Sequence, residues 1–201
     1  MARAHRATLA TFALNGLLMA SWLARIPSVK ESAGLSAGAL GTVLTAPVVA
    51  TLLVMQLATP LTARYGSRAL IGWCLPGTAA ALVAASLAPG PAGLVAALGL
   101  FGIADGLLYV AMHTHGVRVE ALSGRTRMNA YHAAWSGGAL LGAAAGAALA
   151  WAGCPLTPHF LLVGGLTAAL AAGTAGGLLP AEPRPAAATA PAAPAATADG
   201  G

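Results

Sequence analysis

Long apolar runs separated by short polar segments dominate the chain. No Asp, Glu, Lys or Arg occurs within residues 7–24, 32–63, 69–104 or 128–181. A helix that crosses a bilayer needs about 20 residues, so the first two runs accommodate one helix each and the last two accommodate two each. The pattern therefore predicts six membrane-spanning helices.

Proline and glycine divide the two longest apolar runs. Ala88–Gly93 reads APGPAG, and Gly153–Pro158 reads GCPLTP. A helix does not continue through segments of this composition, because proline lacks the backbone N–H that helical hydrogen bonding requires. The predicted spans lie near residues 8–24, 39–61, 69–88, 93–113, 129–152 and 159–179.

The composition agrees with an all-α membrane protein that contacts the lipid bilayer. Hydrophobic residues make up 58% of the 201 residues and charged residues only 7%, against roughly 25% charged residues in a soluble domain. The net charge of +5 comes from arginines in short loops, and aromatic residues are few, so we expect no nucleic-acid partner. Residues 180–201 are rich in Pro and Ala and predict a disordered cytoplasmic tail.

Basic residues are distributed unequally between the two sides of the predicted topology. A cytoplasmic N-terminus leaves only Arg25 and Lys30 outside, and the other eight Lys and Arg residues inside. The positive-inside rule then predicts that both termini are cytoplasmic in the plasma (inner) membrane. The first span is expected to stay uncleaved, because neither Leu18 nor Trp22 is the small residue that a signal-peptide cleavage site needs.

One acid, Asp105, lies inside a predicted span. It is about 18 Å from the start of the fourth span, and Asn15 is about 10 Å from the start of the first. Both positions are near the middle of the membrane, where an ionisable residue is expensive and marks a functional site. Asp105 is therefore predicted to carry a coupling proton, because burial favours the neutral carboxyl. The alternative is a protonated acid that only packs between helices.

Helical spacing gives each of these polar residues its predicted neighbours. Asn15, Met19 and Trp22 share one face of the first span. Asp105, Tyr109, Met112 and His113 share one face of the fourth span, and His132 and Ser136 are one turn apart in the fifth. Amide, acid and aromatic groups suit a hydroxylated solute, so we predict substrate binding by Asn15, Met19, Trp22, Asp105, Tyr109, Met112, His132 and Ser136. For His132 and Ser136, an interfacial histidine and a hydroxyl bonded within its own helix are the alternatives.

A faint internal repeat relates the first and fourth spans. Asn15–Leu18 reads NGLL and Asp105–Leu108 reads DGLL, 90 residues later, and Gly34 and Gly124 have the same separation. An odd number of spans in each repeat makes the two copies inverted in the membrane. The repeat predicts two inverted three-helix units, with a site where the first and fourth spans face each other.

Several loops and helix segments resemble the major facilitator superfamily (MFS) of transporters. Thr59–Arg68, which reads TPLTARYGSR, is similar to the family loop G-x-L-a-D-R-x-G-R-R. Arg64, Gly66 and Arg68 match in register, whereas Thr59 and Ala63 replace the glycine and the acid. The segments Trp22–Pro27 and Met128–Gly138, together with Asn15 and Glu120, look like the sugar permease branch that includes fucose permease.

This resemblance implies half of an MFS fold, namely its N-terminal six-helix half. It also implies transport of a small polar, sugar-like solute by proton symport, with Arg64, Gly66 and Arg68 in a cytoplasmic gating loop. No cofactor, metal or enzymatic activity is expected. Ala143 stands where the drug-antiporter branch has a proline, which favours symport over drug antiport.

A single six-helix bundle supplies only one wall of an alternating-access pathway. Three arrangements stay open: a homodimer, a separately encoded C-terminal half, or a truncated remnant without transport. A remote alternative is a rhomboid-like intramembrane serine protease that uses Ser136 and His159. It is disfavoured because the glycine before Ser136 is absent and the two residues lie near opposite membrane faces.

Overall fold

The computed structural model describes residues 1–181, and these residues form seven α-helices without a β-strand. The helices are α1 (Ala2–Ala24), α2 (Ile26–Ser32), α3 (Ala37–Tyr65), α4 (Ser67–Ser86), α5 (Gly90–Ser123), α6 (Met128–Trp151) and α7 (Leu156–Ala175). All except α2 are long and apolar enough to cross a membrane. The predicted all-α fold with six spans is therefore confirmed. The tail predicted to be disordered lies, from residue 182 onward, outside the described residues.

Two helices extend well beyond the apolar runs that predicted them, and α3 and α4 extend beyond theirs by two residues each. α1 begins at Ala2 rather than near residue 8, and α5 continues past His113 to Ser123. Charge gaps locate only the part of a helix that can lie in lipid, whereas helical hydrogen bonding continues through polar residues such as Arg118 and Glu120. α5 ends where Gly124 adopts the left-handed conformation, with φ +62°.

The short helix α2 was not predicted. It follows α1 directly at Arg25 and has Pro27 in its first turn, a position where the missing N–H of proline leaves no hydrogen bond unmade. Val29 is buried, whereas Lys30 and Glu31 are exposed. α2 therefore covers one end of the bundle with a single apolar anchor.

The helix pairs in contact reveal the internal symmetry. The most extensive packing joins α1 to α6 and α3 to α5, and further contacts join α4 to α5, α1 to α7 and α4 to α7. Exchanging α1 with α5, α3 with α6 and α4 with α7 leaves this set of pairs unchanged. Because α1 and α5 cross the bundle in opposite directions, the arrangement is that of two inverted three-helix repeats.

Glycines allow α1 to approach α6, and α3 to approach α5, at short backbone-to-backbone distances. A Cβ atom at Gly138 on α6 would overlap the carbonyl oxygen of Ala13 on α1, and one at Gly142 would overlap that of Leu17. In the other repeat, a Cβ atom at Gly102 on α5 would overlap the backbone of Pro47 on α3. The glycine faces therefore bring helix backbones together in the way that small residues do in membrane proteins.

The two ends of the bundle differ in charge. One end, here called the basic end, holds the N-terminus, the α3–α4 and α5–α6 connections and the last turn of α7. It contains Arg64, Arg68, Arg118, Arg125 and Arg127. The opposite end holds α2 and the α4–α5 and α6–α7 connections. Two exposed indoles, Trp73 and Trp151, lie on the outer surface of the bundle.

Candidate functional site

A hydrogen bond joins the first helices of the two repeats near the middle of the bundle. Asn15 Nδ2 on α1 donates to Asp105 Oδ1 on α5 at 2.7 Å. Asn15 is buried, with 4% of its surface exposed, and Asp105 is half-buried. The two residues that the 90-residue offset related are thus direct partners.

Trp135 on α6 extends this contact to a chain of three side chains. Its indole Nε1–H donates to Asn15 Oδ1 at 2.8 Å. An indole N–H only donates, so it requires the amide oxygen of Asn15 to face α6 and the amide nitrogen to face Asp105. Sequence reasoning missed Trp135, although it lies inside the Met128–Gly138 segment and directly precedes Ser136.

A cavity of about 390 Å³ lies between α1, α3 and α5 beside Asp105. Its walls are almost entirely apolar, and Thr51, the other polar residue on them, already donates its hydroxyl hydrogen to Gly102 O at 2.9 Å. Among the lining residues, all of which belong to the described part of the chain, Asp105 is the only ionisable one. The carboxyl group therefore supplies the polarity of this cavity.

Of the predicted binding residues, Met19 and Trp22 also line the cavity. Trp22 is buried and packs against Phe101, with ring centroids 6.3 Å apart. Met112 does not reach the cavity. The Met112 side chain is 1% exposed and belongs to the apolar core. The face of α5 that lines the cavity at Asp105 is therefore covered by other helices about two turns later, at Met112.

The other predicted residues lie on an open polar face that continues from Asp105 toward the basic end. Tyr109 is exposed and its ring lies 4.1 Å from that of His113, which in turn lies 5.3 Å from the ring of His132 on α6. His132 and Ser136 are exposed on α6. We call Asp105, Tyr109, His113, His132 and Ser136 the open polar face. Tyr109, His132 and Ser136 are exposed, whereas Asp105 and His113 are half-buried. Polar side chains at the surface of membrane-spanning helices indicate a wall of a water-filled or solute-filled space.

The known proteins that this chain resembles are membrane transporters. The family model described as Major Facilitator Superfamily matches residues 7–198. An uncharacterized MFS-type transporter of Yersinia pestis is 37% identical over 147 residues, covering 73% of this chain and 38% of the relative. An uncharacterized transporter of Sinorhizobium fredii is 32% identical over 165 residues, covering 80% of this chain and 44% of the relative.

The chain belongs to the major facilitator superfamily. Membrane transport is the function of this family, and the six-span fold is consistent with half of an MFS fold. The chain spans less than half the length of the two relatives.

The MFS-like loop at the basic end contains Arg64, Gly66 and Arg68, for which the sequence predicts a gating role. Arg64 is exposed and lies over the Tyr65 ring, 5.3 Å from its centroid. Gly66 has φ +82°, a backbone conformation that favours glycine. Arg68 Nη1 donates to Leu178 O at 3.5 Å. The loop therefore contacts the segment that follows α7.

Sequence reasoning missed the residue that completes this contact. His115 on α5 is fully buried, and its Nε2 accepts from the Leu179 N–H at 3.2 Å. The ring proton is then on Nδ1, which donates to the Ser67 hydroxyl at 2.9 Å. Arg118 donates to Pro180 O. Residues 178–180 are thus held on the α4 and α5 ends of this MFS bundle.

The geometry also bears on the protease alternative. Gly146 is the α6 residue beside the His159 ring, because a Cβ atom there would lie 3.5 Å from His159 Cε1. Ser136 is ten residues earlier on α6, which is about 15 Å along the helix. A nucleophile and its base need to be about 3 Å apart, so Ser136 and His159 do not form a catalytic pair in this arrangement.

Proposed function

We propose that the chain forms one wall of a pathway for a small polar, sugar-like solute in a proton-coupled symporter. The observation that carries the proposal is the hydrogen bond between Asn15 and Asp105 at the edge of the cavity. Met19, Trp22 and the open polar face supply the remaining contacts with the solute. Trp22 and Phe101 offer ring faces of the kind that pack against sugar rings.

The energetic cost of Asp105 supports a function beyond packing. An acid at the centre of a membrane helix costs about 2.5 kcal/mol or more on insertion scales. Side-chain hydrogen bonds between membrane helices contribute about 0.6 kcal/mol on average and at most about 1.7 kcal/mol. The hydrogen bond from Asn15 therefore does not offset the cost of burying the acid.

Proton binding would change what Asp105 can do for a solute. The ionised carboxylate only accepts hydrogen bonds, as it does from Asn15, whereas the protonated carboxyl also donates one. We propose that the protonated form binds a solute hydroxyl and that deprotonation on the opposite side of the membrane releases it. The amide of Asn15, oriented by Trp135, keeps one carboxyl oxygen occupied in both forms.

The second wall would come from another six-helix bundle, either a second copy of this chain or a separately encoded C-terminal half. One feature supports this proposal: the open polar face lies at the surface of the bundle. The large apolar side chains exposed on the neighbouring helices α3 and α6 fit contact with lipid as well as with a second bundle. The outward surface of α3 includes Leu52 and Leu53, and that of α6 includes Leu140 and Leu141.

Proton uptake by proteoliposomes tests the function. The chain is reconstituted alone and together with the remaining part of the Yersinia pestis relative, and a panel of hexoses and pentoses is added to each. Sugar-dependent proton uptake by the chain alone supports a second copy as partner, and uptake only in the mixture supports a separate half. Uptake in neither sample contradicts the proposal and favours a remnant without transport.

Asp105→Asn provides the variant test. It should keep the Asn15 contact but abolish sugar-dependent proton uptake, because an amide cannot take up the proton. Glu31→Gln removes an exposed acid on α2 and is the matched control that should transport normally. Unchanged proton uptake in Asp105→Asn contradicts the coupling role.

A further inference from the structure

Arg25, the residue between α1 and α2, lies at the end of the bundle opposite the basic end. Its side chain is buried, with 2% of its surface exposed. The distribution of basic residues places Arg25 on the external side but does not predict that its side chain is buried. Its Nη2 donates to Cys154 O in the α6–α7 turn at 2.6 Å. Its Nε and Nη1 are buried without a hydrogen-bond partner in residues 1–181.

A second buried group with free hydrogen-bonding capacity lies beside it. His159 is 1% exposed, and neither Nδ1 nor Nε2 has a partner within the described part of the chain. A Cβ atom at Gly146 would lie 3.5 Å from His159 Cε1 and 2.8 Å from Ala24 Cβ. The His159 ring is therefore close to the residue that precedes Arg25.

Helix α7 begins at the same place. Its N-cap residue is Pro155, which makes no side-chain capping bond, and His159 lies in its first turn. In this first turn only Leu156 and Thr157 have backbone N–H groups without an acceptor in the helix, because Pro155 and Pro158 carry no N–H. The N-terminal end of a helix of this length is electropositive. The Arg25 guanidinium, the His159 ring and the start of α7 can each donate a hydrogen bond to an anion. The Cys154 carbonyl cannot, but Arg25 already donates to it.

No carboxylate in residues 1–181 balances this charge. Of the acids in residues 1–181, Asp105 binds Asn15, Glu120 accepts hydrogen bonds from the α6 N-terminus, and Glu31 is exposed on α2 without an ion pair to Arg25. Burying an unpaired guanidinium is costly, and buried charges are normally paired. The junction therefore has the donors for an anion, but no carboxylate of the described residues supplies the negative charge.

We propose that the junction of Arg25, His159 and the first turn of α7 binds a small monovalent inorganic anion such as chloride. The near-complete burial of both side chains favours a compact ion over a lipid headgroup. The bound ion would join α1 to the α6–α7 turn, in addition to the single bond from Arg25 to Cys154 O. Binding requires no transport activity, so this proposal is tested separately from the proposed function.

The test measures the thermal unfolding midpoint of the full chain in neutral detergent. Gluconate is replaced by chloride, bromide or nitrate at constant ionic strength. We expect a saturable rise of at least about 2 °C with the small anions. A midpoint that is the same in all four salts overturns the proposal and leaves water as the partner of these donors.

Variants locate the effect. His159→Phe and Arg25→Lys should lose most of the chloride-dependent rise, whereas Lys30→Met removes an exposed cation at the same end and should keep it. A rise that survives in both junction variants, or that disappears in Lys30→Met, overturns the proposal. If neither junction variant folds, the anomalous signal of bromide in wild-type crystals decides: density between Arg25 and His159 supports the site, and its absence overturns it.

Discussion

Asn15 donates a 2.7 Å hydrogen bond to Asp105 across the interface between the two repeats. The contact lies at equivalent positions of helices that run in opposite directions, so it is close to the symmetry axis that relates the repeats. Only one of the two positions is ionisable. The two repeats therefore differ chemically at the point where the chain faces its cavity.

Trp135→Phe should loosen this contact without removing either partner. The indole N–H is the group that holds the oxygen of Asn15 away from Asp105, so its loss should lower the free energy of unfolding by about 0.6 to 1.5 kcal/mol. Unfolding in mixed detergent with increasing sodium dodecyl sulfate measures the change.

A double-mutant cycle and a control make the Trp135 prediction specific. Trp135→Phe and Asn15→Leu should be less than additive, because the second change removes the acceptor of the first. Trp151→Phe alters an indole that is 92% exposed and should leave stability unchanged. Additive effects of the first two changes would show that the indole acts through packing alone.

Gly138→Ala should disrupt the packing of α1 against α6. The added methyl group would overlap the Ala13 carbonyl, and relieving such an overlap typically costs about 1 to 3 kcal/mol. Gly137→Ala is a control on the next residue, where a Cβ atom would meet nothing within 4 Å. Unfolding measurements on both variants test the prediction, and equal stabilities would contradict the close approach of the two helices.

Glu120→Ala should weaken the start of α6. Glu120 Oε2 accepts from the backbone N–H groups of Arg127 and Met128, each at 3.0 Å, and removing a capping group costs about 0.5 to 2 kcal/mol. Hydrogen exchange in the first turn of α6 should accelerate, while the exposed-site control Glu31→Ala leaves it unchanged. Equal exchange in both variants would exclude the capping role.

Single cysteines test the proposed orientation. In a chain carrying Cys74→Ala and Cys154→Ser, Lys30→Cys on α2 and Arg125→Cys in the α5–α6 connection place exposed thiols at opposite ends. A membrane-impermeant maleimide should label Lys30→Cys in intact cells and Arg125→Cys only after permeabilisation. The reverse pattern would place both termini outside.

Much of the fold could be predicted because membrane segments obey a simple physical rule. Every backbone polar group in lipid must be satisfied inside its own helix, so charge gaps and the Pro and Gly turns at Ala88–Gly93 and Gly153–Pro158 were enough to identify six spans. The boundaries of α5 were less predictable, because its last turns carry Arg118 and Glu120 outside the apolar run.

The candidate site could be predicted only in part. The 90-residue offset related Asn15 to Asp105, since equivalent positions of an inverted repeat meet at its axis. Helical periodicity placed Met112 on the same face of the fourth span as Asp105, but the Met112 side chain lies in the core. In a membrane bundle the core and the lipid-facing surface are both apolar, so helical spacing does not distinguish them.

The sequence by itself determined the number of spans, the inverted repeat, the family and the unusual position of Asp105, because these properties depend on local composition and spacing. The tertiary structure alone showed that Trp135 orients Asn15, that His115 holds the segment after α7, and that Arg25 is buried beside His159. These contacts join residues that are far apart in the sequence, so they depend on which helix faces pack against each other in three dimensions.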